Sequence, residues 1–125
     1  LLTSTRLKAI LVLHVNHPQE LSPQLAAGLA KLHQEGVLLL NQSVLLKGIN
    51  DNAPVLAKLS EDLFALNILP YYLHTLDKVA GAAHFNLPLA QAKQLYAQLL
   101  TLLPGFLVPK LVVEEAGKLS KTPLV

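Results

Sequence analysis

Leu7-Lys8-Ala9-Ile10-Leu11-Val12-Leu13 is a near-continuous apolar run closed by the polar His14-Val15-Asn16-His17. A run of that kind predicts a strand covered on both faces, as in a parallel sheet. Ser22-Pro23 follows, an N-cap residue with proline in the first helical position. Leu25, Leu29 and Leu32 then recur at helical spacing, and Gly36 supplies the stop. Strand, helix and stop together make one β-α unit.

The unit repeats. Val37 to Leu46 reads as a second strand, and Gly48-Ile49-Asn50-Asp51-Asn52 as a turn. Pro54 opens a helix whose buried stripe is Leu56, Leu59, Leu63 and Leu66. Ile68 to Leu73 is a third strand, with Pro70 marking an edge or an irregularity near its start. A loop from His74 to Leu87 leads to a third helix with Ala92, Leu95, Leu99 and Leu102 inward. Phe106 to Val113 is expected to be a fourth strand, with Pro109 inside it, and the tail from Glu114 to Val125 carries no clear element.

Strands alternating with helices predict an α/β fold with a parallel sheet. Strand starts recur roughly every thirty to forty residues, the rhythm of a (β/α) barrel. Four strands cannot close one. The expectation is a partial, half TIM-like barrel of about four parallel strands and three helices, occupying residues 1–125 as one unit. Its open edges call for the missing half of the barrel, or for a second copy packed edge to edge or face to face.

Composition points the same way. Hydrophobic residues make up 52% of the 125 and charged residues 14%, against about 25% charged in an average globular chain. A small domain needs more polar surface, so this one is expected to bury faces against something further. Methionine is absent and the chain opens on Leu1-Leu2, which reads as an excised piece. A net charge of +2, scattered along the chain, argues against a nucleic-acid footprint. The apolar runs are far shorter than the ~20 residues of a membrane span. No signal peptide is seen, and a cytoplasmic location is the expectation. Cysteine is also absent, so no thiolate metal site can be built from this chain.

In such a barrel the active site gathers at the C-terminal ends of the strands. That rule selects His14 to His17, Asn41-Gln42-Ser43, His74 to Asp77, and Glu114-Glu115. Singly each is weak. His14 and His17 permit a shared metal, although structural hydrogen bonding suits an isolated pair better. Asn41, Gln42 and Ser43 interrupt an apolar strand and need partners, either in a polar core network or on a ligand. Asp77 and Glu114 taken alone are ordinary loop carboxylates, and Lys121 an ordinary terminal lysine.

The ordered set of blocks carries more. His14-Val15-Asn16-His17-Pro18-Gln19-Glu20, Asn41 through Asp51, Pro70-Tyr71-Tyr72-Leu73-His74, Asp77 through Phe85, Val108-Pro109-Lys110-Leu111 and Ser120-Lys121-Thr122-Pro123-Leu124 together resemble the lysine 2,3-aminomutase family, in order and over essentially the whole chain. The Asp77 segment and the ending look most like the branch that makes β-lysine for elongation factor P.

The resemblance implies a C-terminal part of a radical S-adenosylmethionine enzyme that also uses pyridoxal phosphate and a [4Fe-4S] cluster. Lys121 matches the family's pyridoxal-phosphate lysine. His14 and Gln42 fall where the family contacts S-adenosylmethionine. Asp77 matches an acid that holds the ε-ammonium of substrate lysine, and Glu114 stands where the family usually has a second aspartate. Two carboxylates about one ammonium give charge-assisted recognition. The reaction implied is an isomerisation that moves the amino group of lysine from carbon 2 to carbon 3. The cluster cysteines and the phosphate-binding arginines belong to the family's N-terminal half, so this piece by itself is expected to be inactive. Two other readings stand beside it. One is another (β/α) barrel enzyme using Asp77 or Glu114 as acid or base, and the other a non-catalytic binding half-domain.

Overall fold

In a computed structural model the chain is described for residues 9–76, 88–114 and 122–123. Strand and helix alternate through β1 (Ile10–Leu13), α1 (Pro23–Gln34), β2 (Leu38–Leu45), α2 (Ala53–Ala65), β3 (Ile68–Leu76), α3 (Leu89–Leu102) and β4 (Lys110–Glu114). These four strands are parallel and lie in sequence order. A two-residue β5 (Thr122–Pro123) adds antiparallel to β4. The fold is thus α/β, four parallel strands with three helices, in the connectivity of a partial (β/α) barrel.

The local signals act as chemistry requires. Ser22 caps α1 by accepting the Leu25 backbone N–H at 3.1 Å, with Pro23 behind it. Gly36, at φ +89°, takes the left-handed turn after α1 that a Cβ would resist. Asn52 caps α2 through Val55 N–H at 3.3 Å.

All three helices cover one face of the sheet. Leu29, Val37, Leu39, Leu59, Leu63 and Ile68 form one cluster, with Val15 closing its top. Leu45, Leu56, Leu73, Tyr96, Leu99 and Leu111 are central to a second. Along β2, Leu39, Asn41, Ser43 and Leu45 are buried on this covered face. Leu38, Leu40, Gln42 and Val44 alternate onto the other face and are only half-buried. Part of that other face is apolar and open, with Ile10 56% exposed at the β1 edge and Leu69 and Tyr71 also exposed, whereas His74 and its partner Val112 on the same face are buried. The low charge content is explained there.

Several details depart from the sequence expectation: β1, expected to be covered on both faces, is largely exposed, β3 runs on to Leu76, and Thr122–Pro123 is a strand. Residues 106–109 are not strand. Gly105–Leu107 forms a 3-10 turn and β4 starts only at Lys110, because Pro109 has no N–H to give a ladder. The buried stripe of α3 is Ala92, Tyr96 and Leu99 rather than one running through Leu102, which is half exposed; Leu103, past the helix end, is buried instead.

A further detail positions the site. Ile68 and Leu73 are both in the covered core, yet they differ in parity, and side chains on a strand alternate. The pairing shows how both fit. Asn41 pairs with Pro70 and the next residue, Gln42, pairs with Tyr72, so Tyr71 is an extra residue in β3. This bulge tolerates Pro70 in an interior strand and reverses the facing of everything beyond it. Tyr72 and His74 consequently share the open face with Gln42.

Candidate functional site

The strand ends that the barrel rule selects do come together on one sheet. Leu13 pairs with Asn41, so His14 follows the C-terminal end of β1, whereas Gln42, expected at a strand end, lies within β2, which runs on to Leu45. His14 is exposed and Gln42 half-buried. Gln42 accepts a hydrogen bond from His74 across the open face, with His74 Nε2 at 3.2 Å from Gln42 Oε1. His74 is 3% exposed, and its ring meets the edge of Tyr72 at a centroid separation of 5.7 Å. Tyr72 in turn lies 4.2 Å from Tyr71, ring to ring. The aromatic wall thus fixes the histidine, and the histidine meets the glutamine. His74 belongs to β3 rather than to the loop expected there.

The two residues flanking Gln42 do something else. Asn41 Oδ1 accepts the Val15 backbone N–H at 2.9 Å, and its Nδ2 donates to Val15 O at 3.0 Å and to Ser43 Oγ at 3.0 Å. Ser43 Oγ donates to Val15 O at 2.8 Å. Asn16 Oδ1 accepts Val44 N–H at 2.9 Å. Asn50, 0% exposed, donates to Asn16 O at 2.8 Å and Val44 O at 2.9 Å and accepts Leu46 N–H at 2.7 Å. The polar triplet of β2 therefore divides by face: Asn41 and Ser43 belong to a core network, and Gln42 faces the open side. The network binds the loop after β1 to the end of β2. Each buried side-chain nitrogen and oxygen of the network has a partner, as buried polar groups require.

His17 is structural. Its Nδ1 accepts Gln19 N–H at 3.1 Å, while the Glu20 carboxylate accepts the backbone N–H groups of Asn16 and His17. That reciprocal cap gives His17 a structural role, and no group of three or more metal-ligating side chains occurs among the described residues.

Glu114, the last residue of β4, pairs with Leu76, the residue before Asp77. Val113 pairs with Thr122, the residue after Lys121. Asp77 and Lys121 themselves lie outside the described residues. A cleft of about 300 Å³ walled by His33, Val37, Leu39, Phe64 and Asn67 sits at the opposite, N-terminal ends of β2 and β3. It holds none of the strand-end polar residues, and the site is assigned to the other end. No helix among the described residues is long and apolar enough to cross a membrane.

Comparison with known proteins bears on the family of the chain. No protein-family profile matches the chain. It is 54% identical over 121 residues, 97% of its own length and 36% of the relative's, to the L-lysine 2,3-aminomutase of Buchnera aphidicola subsp. Baizongia pistaciae. It is 53% identical over 118 residues to that of Escherichia coli K12, covering 94% of this chain and 34% of the relative. The enzyme of the same name from Fusobacterium nucleatum is 38% identical over 112 residues, 90% of this chain and 26% of the relative. The chain thus spans about a third of the length of these curated relatives.

Proposed function

Because the chain belongs to the lysine 2,3-aminomutase family, we propose that it is the C-terminal part of an enzyme converting α-lysine to β-lysine. The observation that carries the reading is identity of more than half of all residues, sustained over 97% of the chain. Residues 1–125 are the C-terminal half of the enzyme's (β/α) barrel, and the N-terminal half comes from polypeptide beyond this chain. The enzyme acts in the cytoplasm and supplies β-lysine for the modification of elongation factor P.

Thiolates hold iron-sulfur clusters, and the chain has none, so the cluster belongs to the other half of the enzyme. S-adenosylmethionine suits the open face, where Gln42 offers a carboxamide fixed by His74 beside the strand end bearing His14. For pyridoxal phosphate the support is sequence alone, in the match of Lys121. Bound together, these groups supply the radical chemistry that shifts the amino group from carbon 2 to carbon 3.

The chain's own residues bind and orient. Gln42, within β2, and His14, just past the end of β1, contact S-adenosylmethionine. Asp77 and Glu114 hold the ε-ammonium of lysine, and the pairing of Glu114 with Leu76 supports a common origin for that pair. Lys121 anchors pyridoxal phosphate. Closure of the barrel by its N-terminal half would exclude water from the reacting atoms.

Borohydride reduction of the full-length enzyme loaded with pyridoxal phosphate, followed by peptide mapping, tests the assignment. A pyridoxyl label on Lys121 is expected, and a label on another lysine would overturn it. The 125-residue chain alone is inactive as an aminomutase. Lysine isomerisation by it, with cofactors supplied, would contradict that statement.

A further inference from the structure

We infer that His74 is a positioning residue for Gln42, fixing which end of the glutamine carboxamide faces the ligand. The inference rests on the reading of Gln42 as a contact of S-adenosylmethionine and adds to it a residue on a different strand.

A glutamine on an open sheet face has a terminal torsion with two nearly equivalent orientations, so oxygen and NH₂ can exchange places. An exposed glutamine would present both ends to a ligand. Gln42 does not have that freedom. The His74 ring is 3% exposed and sits against the Tyr72 edge, so it cannot swing. In the tautomer that carries its proton on Nε2, it donates to Gln42 Oε1 at 3.2 Å, which ties the oxygen to the protein and leaves the NH₂ group as the end offered to a ligand. A bare carboxamide is ambivalent, and this one becomes a dedicated donor. It therefore selects an acceptor on the ligand, such as a carboxylate or a ring nitrogen. The arrangement also explains the bulge at Tyr71, without which alternation would turn His74 toward the helices and away from Gln42.

Binding of S-adenosylmethionine to the full-length enzyme, measured by equilibrium dialysis, tests this. Gln42→Ala should weaken it. His74→Phe keeps a flat ring and removes the donor, and should weaken binding about three- to tenfold, the worth of one hydrogen bond. His74→Gln places an amide N–H near the Nε2 position and should restore it to within about twofold. In the Gln42→Ala background, His74→Phe should have no further effect, because the histidine acts through the glutamine. Should His74→Phe not fold, His74→Asn, too short to reach Gln42, takes its place in the cycle. Unchanged binding in Gln42→Ala would overturn the reading of Gln42 itself. Weakened binding in Gln42→Ala with unchanged binding in His74→Phe, or additive losses in the double variant, would overturn the positioning role alone.

Discussion

The side chain of Asn41 closes on the peptide groups of a single residue, Val15, accepting from its N–H at 2.9 Å and donating to its carbonyl at 3.0 Å. Val15 lies just beyond β1, Asn41 is 1% exposed on β2, and the pair fastens the first strand-end loop to the sheet. Asn41→Leu fills the space but leaves the buried Val15 N–H without an acceptor. The expected loss is about 2–3 kcal/mol of unfolding free energy, most of it the cost of that orphaned donor. Ser43→Ala should cost less, about 1 kcal/mol, because Asn41 still donates to the Val15 carbonyl. Urea unfolding of the full-length protein measures both, and equal losses would contradict this division.

Asn50 performs the same task one turn further along. It joins Asn16 O, Val44 O and Leu46 N–H, three backbone groups from two segments, through one carboxamide. Removing it in Asn50→Ala leaves Leu46 N–H with no side-chain acceptor. Amide hydrogen exchange should quicken at Leu46, whereas amides at the N-terminal end of β2, such as Leu39, keep their protection. Uniform acceleration along β2 would mean that the turn is not a separate unit.

Much of this framework could be read from the sequence, for identifiable reasons. The cap Ser22, the helix-opening Pro23 and Pro54 and the left-handed Gly36 are short-range chemistry and act within a few residues. Alternation along Leu38–Leu45 likewise needs only β2 itself. What the sequence left open depends on partners distant along the chain. The partners of Asn41 and Gln42, Val15 and His74, lie 26 and 32 residues away. Pro70 announced an irregularity, but only the pairing of Gln42 with Tyr72 shows that one extra residue turns His74 to the open face. The α3 stripe was shifted by similar means. Leucines surround the helix on several sides, and the backbone of Leu111 selects Tyr96 for the buried position.

Tyr96 gives a prediction in pH. Burial pushes its phenol above the ordinary 10.0, opposed in part by a hydrogen bond with the Leu111 backbone. The unfolded chain, with an unperturbed phenol, ionises first as pH rises. The stabilisation is therefore intact below about pH 10 and is lost as pH climbs through the raised folded value. Tyr96→Phe keeps the packing and removes this titration. Its urea midpoint should fall less steeply above about pH 10 than that of the parent. Lysines ionise in the same range but are common to both proteins, so the difference between the two curves reports Tyr96. Parallel curves would sink the assignment.

Between α2 and β3 the chain reverses in almost no space. Leu66 N–H donates to Leu63 O at 2.9 Å, Asn67 N–H donates to Phe64 O at 2.9 Å, and Ile68 is already 0% exposed in the sheet. Asn67 makes the turn at φ +64°, the left-handed region that asparagine tolerates and β-branched residues resist. Asn67→Val should therefore cost about 1–2 kcal/mol, since no other residue is available to take up the reversal without pulling Ile68 from the core. Asn67→Gly relieves the Cβ contact and adds freedom to the unfolded chain, and these nearly cancel, leaving stability within about 0.5 kcal/mol. Thermal unfolding of both variants measures the contrast. Because Ile68 sets the parity that the Tyr71 bulge then reverses, a slipped turn would also displace His74 from Gln42. Asn67→Val should then lose S-adenosylmethionine affinity even where it remains folded, and full retention of that affinity would show the two ends of β3 to be independent.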